Sequence, residues 1–137
     1  MKNSHTIKLE IPSSMDFVHL LDAVITEILQ QMEFDEDATD QVNLAVLEAG
    51  TNAIKHGNQE EFRKRAYFVF IMHPEKLVVV VQDEGEGFDA QTTEDPLNPE
   101  NLLNSSGRGL FLMEACMDSV DFSQKGTVVT MTKKITS

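Results

Sequence analysis

The stretch LEAGTNAIKHG, Leu47 to Gly57, decides how the rest of the chain is read. Val42, Ala45, Ala49 and Ala53 recur at three- and four-residue spacing. They predict an amphipathic helix over roughly Ala38 to His56, stopped by Gly57, with Asn58 opening a turn. Glu48, Asn52 and His56 are four apart and share the opposite face. A Glu/Asn/His stripe by itself is most often a solvated face. Here the small residues Ala49, Gly50 and Ala53 surround Glu48 and Asn52, so a second backbone or a ligand can come close. A carboxylate and an amide oxygen on one face suit a hard cation such as magnesium and the activation of a hydroxyl.

Two glycine motifs follow. LVVVVQ, Leu77 to Gln82, reads as a strand and runs directly into DEGEGFD, Asp83 to Asp89. Asp83 sits at the strand end, and Gly85 and Gly87 let a chain or flat ligand approach closely. Taken alone, the motif is as readily a plain acidic turn. A calcium loop fits poorly, because the glycines stand where such a loop needs oxygen-bearing side chains. SSGRGLFLMEA, Ser105 to Ala115, places Gly107, Arg108 and Gly109 in a turn at the start of a helix. Backbone N–H groups there attract anions, though Gly-Arg-Gly is also an ordinary N-terminal turn.

The remaining elements set a frame. Thr6 to Ile11 alternates as a strand ended by Pro12. Ser13 or Ser14 caps a helix to about Met32, with core positions Phe17, Leu20, Leu21, Val24 and Ile28. An acid-rich linker, Glu33 to Asp37, leads to the second helix. Ala66 to Met72 and Leu77 to Gln82 form strands joined through His73 to Lys76. Asp89 to Ser106 reads as a long surface loop, then a helix runs from about Gly109 to Met117. Ser119 to Phe122 and Gly126 to Ile135 make a closing hairpin. The expected fold is α+β, a two-layer sandwich of a mostly antiparallel sheet with about three helices on one face.

Length and composition bound the function. The 137 residues fit one domain, 1–137, able to bury its own core. The single cysteine, Cys116, lies in an apolar segment and reads as a buried reduced thiol. No apolar h-region follows Lys2, and apolar runs such as Leu77 to Val81 are far too short to span a bilayer. A cytoplasmic protein without membrane association is expected. A net charge of −12 argues against direct nucleic-acid binding and favours a partner with a basic surface, if it does more than keep the chain soluble. The chain lacks the P-loop motif, the third glycine of a dinucleotide fold, the H-R-D and D-F-G motifs, and the Cys/His density of a zinc site.

Taken in order, these pieces resemble the GHKL ATPase superfamily of gyrase, histidine kinases and MutL. The E-x-x-x-N helix looks like its N box, D-x-G-x-G-F its G1 box and G-x-G its G2 box. The late pair Gly126–Thr127 looks like its threonine turn. Within the superfamily the chain most resembles the short bacterial anti-sigma-factor serine kinases. It shares their stand-alone size, NAIKHG, DPLNPENLL before the G2 box, and GRGLFLM followed by MDSV.

The resemblance implies a kinase that binds a sigma factor and, with ATP/ADP and Mg2+, phosphorylates a serine or threonine on a STAS-domain antagonist. It implies Glu48 as general base on the attacking hydroxyl and Asn52 as magnesium ligand. Asp83 would accept the adenine amino group with Thr127 beside it, and Gly85 and Gly87 would shape the base pocket. Gly107, Arg108, Gly109 and Lys55 would meet phosphate, and Asp89 to Ser106 would be the lid. His56 fits the pattern without an assigned role and reads as a satisfied structural histidine. Family members often form homodimers, which the resemblance extends to this chain. A single Gly-Arg-Gly stands where a longer glycine run is commoner. A non-catalytic anti-sigma module, or a switch kinase that activates a phosphatase, would share every one of these motifs.

Overall fold

Burial alternates along the two central strands, both of them apolar runs rich in β-branched and aromatic residues. In β2 (Arg65–Met72), Ala66, Phe68, Phe70 and Met72 are buried, and in β3 (Lys76–Gln82) Leu77, Val79 and Val81 are buried. Period-2 burial of this kind leaves one face for a core and one for water. The computed structural model describes residues 3–86 and 105–135, with 105–108 described by backbone only. Five strands form one antiparallel sheet in the order β1-β2-β3-β5-β4. β1 is His5–Pro12, β4 is Ser119–Ser123 and β5 is Val128–Lys134.

Three helices cover the buried face: α1 (Val18–Gln31), α2 (Glu36–Asn52) and α3 (Ser105–Cys116). Leu21, Ile25 and Leu29 of α1, Val42, Ala45 and Val46 of α2, and Met113 of α3 join the sheet residues in a single core. Gly50 lets α2 settle onto both layers: a Cβ there would lie 2.8 Å from Leu21 Cδ2 and 3.3 Å from Phe68. The expected α+β sandwich is therefore the observed one. Cys116 is a free, buried thiol within this core. No helix among the described residues is long and apolar enough to cross a membrane.

Element ends differ from expectation for local reasons. Ser14 caps a short 3-10 turn, Met15–Phe17, by accepting from Asp16 N at 3.2 Å, and α1 begins only after it. The linker is shorter than its acidity suggests, because Asp35 caps α2 by accepting from Ala38 N at 2.7 Å. Glu36 and Asp37 then occupy the first turn, where the helix dipole favours negative charge. α3 starts at Ser105 rather than after the glycines, so Gly107, Arg108 and Gly109 lie inside the helix and not in a turn before it. The stretch 87–104, most of the expected lid and Gly87 among it, lies outside the described residues.

Candidate active site

The end of α2 builds one wall. After Asn52 the helix widens into a π turn, Ala53–Gly57, closed by Asn58 N donating to Ala53 O at 2.8 Å. Single π turns of this kind recur at functional sites. The wider turn carries His56 and Gly57 into the wall of a cavity, while Lys55 is exposed and outside its lining. Gly57 lies against Asp83 so closely that a Cβ would stand 2.2 Å from Oδ2. This contact, and not a left-handed cap, is what requires glycine there. Gly85 packs against Gly57 in the same way, where a Cβ would stand 2.2 Å from the Gly57 carbonyl oxygen.

The end of β3 supplies the carboxylate. Asp83 N donates to Thr127 O at 3.0 Å, and Gly85 N donates to Asp83 Oδ1 at 2.8 Å. Half-burial pushes the Asp83 carboxyl above its ordinary value, and the Gly85 amide and the Lys64 charge pull partly back. The β4–β5 turn forms the facing wall. Gln124, Lys125 and Gly126 all have positive φ, and Thr127 Oγ1 donates back to Gln124 O at 2.8 Å.

The cavity between these walls holds about 510 Å3, within the range of small-molecule sites. Its floor is apolar, from Ala49, Ala53, Val81, Leu110, Met113 and Val129. Its polar groups include Asn52, His56, Asp83 and Thr127, with Lys64 and Lys125 also in the lining. A flat heteroaromatic ring fits small and aliphatic walls, and Asp83 can accept a hydrogen bond from an amino group on it.

Glu48 and Asn52 meet α3 at Gly109. A Cβ on Gly109 would stand 2.9 Å from Glu48 Oε2 and 3.0 Å from Asn52 Nδ2. The glycine thus lets α3 lie directly on the two polar ends. Among the described residues no group of three or more His, Cys, Asp or Glu side chains could hold a metal. Magnesium is commonly held by one or two protein groups together with ligand phosphates, and the Asn52 amide oxygen beside the Glu48 carboxylate fits that sparse donor set while leaving Glu48 free.

The structure therefore gathers Asn52, Asp83 and Thr127 around one cavity and sets Glu48 and Gly109 next to Asn52. The sequence reading left His56 and Lys64 without a role, yet both line the cavity. Four-residue spacing from Asn52 was a signal for His56. Nothing local marked Lys64.

The model of the histidine kinase-like ATPase domain matches residues 11–133. The chain belongs to that family. It is also 32% identical to the serine-protein kinase RsbW of Staphylococcus aureus strain bovine RF122 / ET3-1, over 94% of this chain and 86% of the relative. The same figures hold for the serine-protein kinase RsbW of strain Newman. This is the family that the ordered motifs resemble, and a GHKL-type protein kinase is the enzyme class expected from them. In this histidine kinase-like ATPase domain, the helix that resembles the N box is α2 with its π turn, and the motif that resembles the G1 box begins with the Asp83–Gly85 segment that Gly57 abuts.

Proposed function

We propose that this chain is an anti-sigma regulatory kinase that binds Mg-ATP and phosphorylates a serine or threonine of a STAS-domain antagonist. The observation that carries the reading is the meeting of Glu48 and Asn52 at Gly109, beside a cavity of about 510 Å3 that includes Asp83. A nucleotide base in the cavity would direct its phosphates toward α3. Glu48 would take the proton of the attacking hydroxyl, since phosphoryl transfer needs mainly positioning, charge stabilisation and an oriented nucleophile.

Asn52 would hold magnesium through its amide oxygen, and the ion would supply charge neutralisation on the phosphates. Asp83, with Thr127 beside it, would accept from the adenine amino group, and Gly85 and Gly87 would shape that end of the pocket. Gly107, Arg108 and Gly109 would meet the phosphates from the start of α3. Lys55, exposed on the π turn, would reach phosphate only from outside the base cavity. The relatives named as serine-protein kinases support a protein substrate. The acidic surface supports a partner with a basic face, and the reading includes a sigma factor, a homodimer and a cytoplasmic setting.

The test is transfer of labelled phosphate from ATP to STAS-domain proteins of the same genome. Transfer to one of them, lost in Glu48→Gln, is the expected result. Nucleotide binding with no transfer to any of them would replace this reading with a non-catalytic anti-sigma module.

A further inference from the structure

Among the described residues, the only buried polar or charged side chains are Ser13 and Asn58, each 0% exposed. They touch each other. Asn58 Nδ2 donates to Ser13 Oγ at 2.7 Å and to Arg65 O at 2.9 Å. Asn58 Oδ1 accepts from Glu84 N at 2.7 Å. Ser13 Oγ donates onward to Lys64 O at 2.7 Å. One carboxamide thus ties together the residue after Gly57, the end of β1, the start of β2, and the residue after Asp83. Both its amide hydrogens are used, and its oxygen has a partner.

The two segments it joins are the ones whose backbones press together at the cavity. Gly57 abuts Asp83 and Gly85, each contact too close for a Cβ. Close packing of this kind sets how near the segments can come, but not where one lies along the other. Directional hydrogen bonds set that. The Glu84 amide, adjacent to Asp83 in the chain, is held by Asn58.

We propose that Asn58, braced by Ser13, is a positioning residue for base recognition: it fixes the Asp83–Gly85 turn against the π turn of α2. The Asp83 carboxylate then stands where it selects a ring that carries an amino group. This rests on the reading of the cavity as a nucleotide site with Asp83 as the acceptor. A merely structural Asn58 would lower stability and leave base selectivity unchanged. A positioning Asn58 changes the selectivity itself.

The experiment titrates ADP and inosine diphosphate, which bears a carbonyl in place of the amino group, into the wild type and three variants by calorimetry. The wild type is expected to prefer ADP. Asn58→Ala should reduce that preference by about tenfold, the order expected when a charge-assisted hydrogen bond is badly aligned. Val79→Ala, a core truncation within β3, lowers the melting temperature by creating a cavity and should keep the preference. Ser13→Ala removes one brace only, and should reduce the preference by a smaller factor while the chain stays folded.

A folded Asn58→Ala with wild-type selectivity would overturn the proposal. So would an unchanged selectivity in Ser13→Ala if Asn58→Ala does not fold. A wild type that binds both nucleotides equally would instead overturn the assignment of Asp83, and Asn58 with it. A wild type that binds neither would remove the nucleotide site as a whole.

Discussion

At the scale of single residues, two acids in different parts of the site make separable predictions. Glu48 lies on the face of α2 that meets Gly109, next to Asn52, which lines the cavity. Glu48→Gln keeps the shape and loses the proton acceptor. Phosphoryl transfer should fall by ~10²–10⁴ with nucleotide affinity retained, as read from labelled transfer beside calorimetric titration. Asn52→Ala should weaken magnesium-dependent binding as well as transfer. Asp83 is half-buried with its carboxyl raised by that burial. Asp83→Asn should lose nucleotide affinity by ~1.5–3 kcal/mol while the domain stays folded. Its pH behaviour has a definite sign. Between the ordinary value of 3.8 and the raised one, the folded chain keeps a proton that the unfolded chain has lost. The Asp83 contribution to stability therefore falls as pH rises through that interval. Thermal melts across it should show Asp83→Asn gaining on the wild type as pH rises. A constant difference would remove the burial argument.

At the scale of elements, α3 is where local preference and tertiary contact disagree most. Gly107 and Gly109 read as breakers before a helix, yet both lie within it. Gly109 is there because a Cβ would meet Glu48 Oε2 at 2.9 Å and Asn52 Nδ2 at 3.0 Å. Those atoms end flexible side chains and can move aside. Gly109→Ala should therefore gain up to about 1 kcal/mol of helix propensity while displacing the two functional groups. The expected variant melts at or above the wild-type temperature and transfers phosphate at least about tenfold more slowly. A stable variant with full activity would mean that the contact does not matter. Other elements were legible for equally physical reasons. β2 and β3 are apolar runs bounded by polar residues, buried at every second position because one face is core, and α2 shows its apolar stripe because it packs on α1 and the sheet. The π turn left no local trace, since its fifth-residue bonding depends on Gly57 meeting Asp83 across the fold. Asn58 read as a turn residue because its side-chain partners include Ser13, 45 positions away, and Glu84, 26 positions away.

At the scale of the whole molecule, the strong negative charge and the binding of a polyphosphate pull in opposite directions. A net charge of −12 repels a tetra-anion at long range, an effect that salt screens over about 8–10 Å. The described part of the site sets Lys64 and Lys125 beside the cavity, and an Asn52 amide oxygen suited to magnesium. Binding should therefore depend strongly on the metal, which reduces the charge the ligand brings. At about 100 times its dissociation constant, a ligand adds ~2.7 kcal/mol to stability. For a domain of this length each kcal/mol is worth roughly 3–4 °C, so magnesium with ATP should raise the melting temperature by about 8–11 °C. ATP with a chelator should raise it much less at low ionic strength, and added salt should narrow the gap by screening the repulsion. Asp83→Asn should lose most of the shift under both conditions, because it removes a contact to the base and not to the phosphates. The measurement is a thermal melt of wild type and variant, with ATP, with and without magnesium, at two salt concentrations. No shift for the wild type at millimolar nucleotide would sink the nucleotide reading. A shift of equal size without magnesium would leave the base pocket standing and remove Asn52 as a metal ligand.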